Sequence, residues 1–219
     1  EYAIAIGVDA LLGGGSTTDG PNGTVAIGAS AGRTITTGQN NTFVGYNAAY
    51  NVTTGGENTI IGRHAGNKID KGSNNAFLGY AAGYYATGSG NTFVGKDAGK
   101  GGTTSAPFSS GENNTAVGRS ALAAFTTGYN NVMVGNYTGD AITTGESNTA
   151  LGYAALSAED TGTRNVAIGN EALKVLNYDG AGYNVGVGHR AGYALTTGVY
   201  NTFLGSFAGY TLTTGLENT

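Results

Sequence analysis

Cysteine and tryptophan are absent, proline occurs only twice, and charged residues make up just 11% of the chain. The lack of cysteine excludes a disulfide scaffold. No stretch approaches 18 consecutive apolar residues, and the opening Glu1-Tyr2-Ala3 has neither a basic segment nor the apolar core of a signal peptide, so no membrane insertion is expected of this segment. The 14 acids and 10 bases leave a net charge of −4 with no run of either sign. Neither a phosphate backbone nor an anionic membrane is therefore an expected partner, and nucleic acid is set aside.

What the chain has in excess is glycine, 41 of 219 residues, alongside 39% hydrophobic residues. Low-complexity disorder lacks that apolar content. Glycine must therefore serve backbone geometry, at corners where φ is positive. It recurs after a short apolar run at Gly7, Gly28, Gly45, Gly62, Gly79, Gly95, Gly118, Gly135, Gly152, Gly169, Gly188 and Gly205, and seven of the eleven spacings are 17 residues. Aligned on this glycine, the copies share the pattern of residues 41–57 (NTFVGYNAAYNVTTGGE) and 201–217 (NTFLGSFAGYTLTTGLE). A 17-residue unit is too short for helical repeats, and its glycines would each cost about 1 kcal/mol inside a helix. Runs rich in Thr, Val, Ile and Phe closed by glycine read instead as short strands, two per repeat. The expected fold is all-β: a parallel β-solenoid, or β-roll, of about 12 tandem 17-residue turns. It forms one domain over residues 1–219, with insertions near 13–22, 100–110 and 177–182. The chain opens without methionine and stops at Glu217-Asn218-Thr219, the start of another repeat, which suggests a fragment of a longer fibre.

The columns of this stack take distinct roles. Asparagine opens the strand at Asn41, Asn58, Asn75, Asn91, Asn114, Asn131, Asn148, Asn165, Asn184 and Asn201. Stacked amides can bond the turns above and below as a structural ladder. The residue before the glycine is aliphatic in every copy and is read as core. Alanine three residues after the glycine implies a tight slot, and an apolar residue at seven, such as Ile35 or Leu195, implies a second buried face. Strand residues alternate faces, so the residue two before the glycine would then point outward. There stand Phe43, Ile60, Phe77, Phe93, Met133 and Phe203, among other apolar residues. An exposed apolar stripe marks an interface, and for identical rods a closed oligomer with the stripe on its axis is expected.

The segments AIAIG (3–7), TVAIG (24–28), NVAIG (165–169) and NVGVG (184–188) resemble the strand motif of the head domains of trimeric autotransporter adhesins. The NTFVGYxAGxxxTTG variant is also similar to repeats in phage tail fibres and other surface fibres. The resemblance covers essentially the whole chain, although 17 residues is longer than the head unit. It implies a left-handed parallel β-roll, a homotrimer, and an extracellular place on a cell surface, in an outer membrane-anchored fibre, or in a virion fibre.

Motifs for chemistry are weak. Gly186, Gly188 and Gly192 imitate a dinucleotide loop, but the helix it would need is missing and both Gly188 and Gly192 fall on repeat positions. His64 and His189 occupy different slots of separate repeats and read as solvated corner residues, with no cysteine or carboxylate at a spacing that suits zinc. Glu159 and Asp160 are adjacent and would face opposite ways, unlike a glycosidase pair. No catalytic residue, metal site or cofactor is assigned. Threonine pairs such as Thr36-Thr37 and Thr143-Thr144 could form the outward ladder of an ice-binding solenoid, although Asp70-Lys71 and Asp160-Thr161 interrupt them. Tyr46, Tyr80 and Tyr153 share one corner and could stack sugars. The reading is a non-enzymatic structural or adhesive segment of a surface fibre that meets a host glycan or protein. A phage tail-fibre segment for receptor binding or spacing and an ice-binding solenoid are the alternatives.

Overall fold

In a computed structural model of the chain, which describes residues 2–13 and 20–219, twelve strands form one sheet in sequence order. They are β1 (Ile4–Ile6), β2 (Val25–Ile27), β3 (Thr42–Val44), β4 (Thr59–Ile61), β5 (Ala76–Leu78), β6 (Thr92–Val94), β7 (Thr115–Val117), β8 (Val132–Val134), β9 (Thr149–Leu151), β10 (Val166–Ile168), β11 (Val185–Val187) and β12 (Thr202–Leu204). Every neighbouring pair is parallel and in register, so that Phe43 faces Ile60 and Ile60 faces Phe77. This is a parallel β-solenoid. Eleven inter-strand steps of about 4.8 Å make a rod about 53 Å long between its first and last strands.

Each turn holds one strand rather than the two expected. The rest of the turn is bent too often to count as extended. Two residues past the closing glycine, the backbone adopts the left-handed conformation in all twelve turns, from Asp9 (φ 58°) to Phe207 (φ 60°). A non-glycine residue there costs about 1 kcal/mol or more, and it persists only where the surroundings hold it. The preceding turn does so: Asn47 N donates to Ala29 O and His64 N to Tyr46 O. Of the expected second strand, three isolated bridges stand among the described residues, Ala86–Ser109, Thr163–Ala181 and Val199–Leu216.

The strand faces are the reverse of the sequence expectation. Phe43, Ile60, Phe77, Phe93, Met133 and Phe203, read as an outward interface, are 0–5% exposed and form the core with Ile35, Ile69, Phe125, Ile142 and Leu195. The aliphatic residues before the glycine point outward instead, as Leu78 at 49% and Leu151 at 47% exposure show. Both columns are apolar, so alternation alone could not fix which was inside.

What decides it is volume. Where the strand centre is large, the residue six positions on is small: Phe77 with Gly83, Phe93 with Gly99, Met133 with Gly139. Where the centre is alanine, that residue is leucine in Ala116–Leu122, Ala150–Leu156 and Ala167–Leu173. A Cβ on Gly83 would lie 2.4 Å from the Phe77 ring, and one on Gly99 2.4 Å from Phe93. The two positions share one space, as close packing requires. The strand-closing glycines answer a different constraint. Gly45 has φ +134°, and a Cβ there would stand 2.7 Å from the Gly62 carbonyl of the next turn.

The insertion expected at 13–22 falls mostly on residues 14–19, outside the described residues. Those at 100–110 and 177–182 leave the stack at its surface and return to it: Asn91 still meets Asn114, and Asn165 still meets Asn184.

Candidate functional site

The asparagine column is a continuous interior ladder. Asn58 N donates to Asn41 Oδ1 at 2.9 Å, and the contact repeats turn by turn to Asn201 and Asn218. Each amide nitrogen also donates to a backbone carbonyl, as Asn58 Nδ2 does to Gly72 O and Asn131 Nδ2 to Gly145 O. The ten predicted asparagines are buried, at 0–2% exposure. Sequence reasoning missed two members. Asn218 extends the ladder, and Thr24 caps its other end by accepting Asn41 N with Oγ1 at 3.3 Å. With its amides consumed in this way, the ladder is a structural element.

The outward face of the sheet carries two columns. One runs through the pre-glycine aliphatics, including Ile27, Val94, Val134 and Leu204. The other runs through the first strand residues, which are aliphatic in some turns (Val25, Val132, Val166, Val185) and threonine in others (Thr42, Thr59, Thr92, Thr115). Neither column contains a charged residue along the rod.

The corner beside this face is mixed. Tyr46, Tyr80 and Tyr153 are 46–51% exposed, in accord with their expected place at one corner. The structure brings Tyr46 and Tyr80 together through the intervening turn: the Arg63 guanidinium lies 5.9 Å from both rings. Tyr153 stands four strands further on, edge to face with Tyr137. His64 departs from the solvated reading. Its ring sits against Tyr46 and Tyr84, and its Nδ1 is shielded without a hydrogen-bond partner. Burial, with help from Arg63, depresses its basicity. His189 is exposed.

Two buried carboxylates add to this. Glu159 occupies the column held by Ile142 in the turn before it and by Leu176 in the turn after it. In regular turns the glycine closing the Thr-Thr pair donates to a carbonyl of the next turn, as Gly145 N does to Asp160 O. The insertion at 177–182 displaces that carbonyl, and Glu159 replaces it, accepting Gly162 N at 2.7 Å and Tyr178 N at 3.4 Å. Burial pushes its carboxyl up to about 7. Asp160 lies on the opposite side of the chain, half exposed, as adjacency required. Glu171 accepts from Lys174 Nζ and Arg190 Nε, both at 2.6 Å, and the Lys174 bond, then the Arg190 bond, hold its carboxyl below the usual range. Sequence offered no signal for either, because each depends on which turn lies beside it. Among the described residues no three His, Cys, Asp or Glu side chains gather in a way that could hold a metal ion.

The threonine pairs divide their labour. The first hydroxyl donates to the next turn, Thr36 to Thr53 O and Thr126 to Thr143 O, while the second, as in Thr37 and Thr144, is exposed. Where Lys71 takes that second place the hydroxyl row is interrupted, while Ser110 continues it.

A groove lies elsewhere, against the 100–110 insertion. It encloses about 730 Å³ between Phe108 and the turns that carry Thr34, Asn51, Thr53, Lys68 and Thr87. Comparison with known protein families, with curated proteins and with solved structures found no match.

Proposed function

We propose that this chain is a non-enzymatic structural and adhesive segment of an extracellular surface fibre, assembled as a parallel homotrimer with left-handed turns. The observation that carries the reading is the outward sheet face, two columns without a charge that run the length of a rod about 53 Å long. An apolar stripe of that extent is costly in water, and a closed ring of identical rods removes it from solvent. The pre-glycine column suits this role because Val, Ile and Leu differ little in size, so it presents an even surface to a neighbouring copy. The resemblance of AIAIG, TVAIG and NVAIG to adhesin head motifs supports the same assembly. In such a trimer the tyrosine and arginine corner and the inserted loops stay outside, where a host glycan or protein can meet them.

Sedimentation equilibrium tests the assembly. A mass near 65 kDa, about three times the 21.8 kDa chain, is expected. The double substitution Val117→Lys with Leu151→Lys, both on the outward face, is expected to yield monomer with unchanged far-ultraviolet circular dichroism. A monomer for the unaltered chain at micromolar concentration would overturn the trimer.

A further inference from the structure

We propose that the groove beside the 100–110 insertion binds an oligosaccharide bearing a carboxylate, a sugar acid of the uronic or sialic kind. The inference deepens the adhesive reading and rests on it for its biological meaning, but the site itself is built within one chain.

The threonines of the floor have already committed their hydroxyl protons. Thr34 Oγ1 donates to Tyr50 O at 2.9 Å, Thr87 Oγ1 to Ser109 O at 3.1 Å, and Thr53 Oγ1 to Asp70. Asn51 Nδ2 donates to Asn67 O at 2.9 Å. What the threonine hydroxyls keep for a ligand is oxygen lone pairs, while Asn51 keeps its Oδ1 and one Nδ2 hydrogen. A ligand that satisfies several closely spaced acceptors must carry several hydroxyl donors, which is the chemistry of a sugar ring.

The groove also carries positive charge. The ion pairs among the described residues involve Arg33, Lys96, Arg164, Lys174 and Arg190, which leaves Lys68 and Lys71 with no carboxylate partner there. Asp70, engaged by Thr53, offsets one of the two lysines. The groove is net positive in a chain of net charge −4. The wall is aromatic. Phe108 stacks on Tyr85 with ring centroids 5.9 Å apart, and Lys68 Nζ reaches to 6.0 Å from the Phe108 ring. An apolar plate for the face of a pyranose, acceptors for its hydroxyls and an ammonium for its carboxylate converge on one cavity, and this is how a specific small-ligand site is composed.

The periodic turns supply the floor three times over, through Thr34, Asn51 and Lys68 in one column and Thr53, Asp70 and Thr87 in the next. The insertion supplies the wall once. That sets the groove apart from the regular turns among the described residues.

Isothermal titration with tetragalacturonate and with sialyllactose, against maltotetraose as the neutral control, tests the assignment. At least one acidic probe is expected to bind about tenfold or more tighter than maltotetraose. Lys68→Gln and Phe108→Ala are each expected to weaken it about tenfold, and Arg164→Gln, outside the groove and paired with Glu146, to leave it unchanged. Equal affinity for acidic and neutral probes, no binding of either acid, or acid binding indifferent to both groove substitutions would overturn the proposal. Sedimentation on the same samples separates the two readings. A trimer without acid binding refutes the groove alone, and a monomer that binds through Lys68 refutes the assembly alone.

Discussion

Residues 114–169 and the stretches on either side of them differ in one respect. From β7 to β10 the closing glycines repeat at 17 residues without interruption, whereas the step from Gly95 to Gly118 takes 23 and that from Gly169 to Gly188 takes 19. The ladder barely registers the difference. Asn131 N meets Asn114 Oδ1 at 3.0 Å in the regular stretch, while Asn114 N meets Asn91 Oδ1 at 2.9 Å across the long insertion and Asn184 N meets Asn165 Oδ1 at 3.2 Å across the shorter one. The interior is set by contacts between adjacent turns, as expected of a quasi-one-dimensional stack, so surplus residues are expelled outward. The disturbance appears only where expulsion removes a carbonyl that the neighbouring turn needed, and there Glu159 stands in for it.

The widest gap between the two regions should come from the regular one. Asn131→Ala strips the acceptor from Asn148 N and the donor from Gly145 O, both interior, and is expected to cost about 3 kcal/mol in urea unfolding. A loss below about 1 kcal/mol would show that the ladder decorates the stack rather than holding it.

At the repaired junction the expected effect depends on pH. Glu159 is raised in the folded chain from 4.5 to about 7, so its neutral form favours folding. That contribution is complete below about 4.5 and is lost as pH climbs through about 7, a fall of up to about 3 kcal/mol. Glu159→Gln keeps an acceptor for Gly162 N and should flatten this component. Matching stability profiles from pH 4 to 8 for the two chains would remove Glu159 as its source.

The smallest change is expected where the insertion merely protrudes. Deleting residues 103–106 shortens a closed loop and should shift stability by less than about 1 kcal/mol. A larger loss would place that loop within the fold rather than upon it.

The period, the parallel stacking and the asparagine ladder were legible in the sequence because each is repeated many times and each has one physical use. The inward face was not, because Phe43 and Val44 are both apolar and alternation has no preferred parity. The resolving signal was present in the reciprocal sizes of Phe77 with Gly83 and Ala116 with Leu122, a spacing that neither strand nor helix periodicity brings to notice. At the candidate site, the tyrosine corner followed from a shared slot in the repeat. The groove did not, since it joins four successive turns to a loop that returns against them from beyond β6. Glu159 and Glu171 were hidden for the same reason, their partners belonging to adjacent turns displaced or bridged in ways that spacing does not encode.

Each asparagine hands its carbonyl oxygen to the turn that follows and takes one from the turn before, so every turn arrives with the fitting for its successor. Whole turns can therefore be gained or lost by tandem duplication without editing any other position. The rod behaves as a ruler graduated in steps of about 4.8 Å, and its reach becomes a matter of copy number.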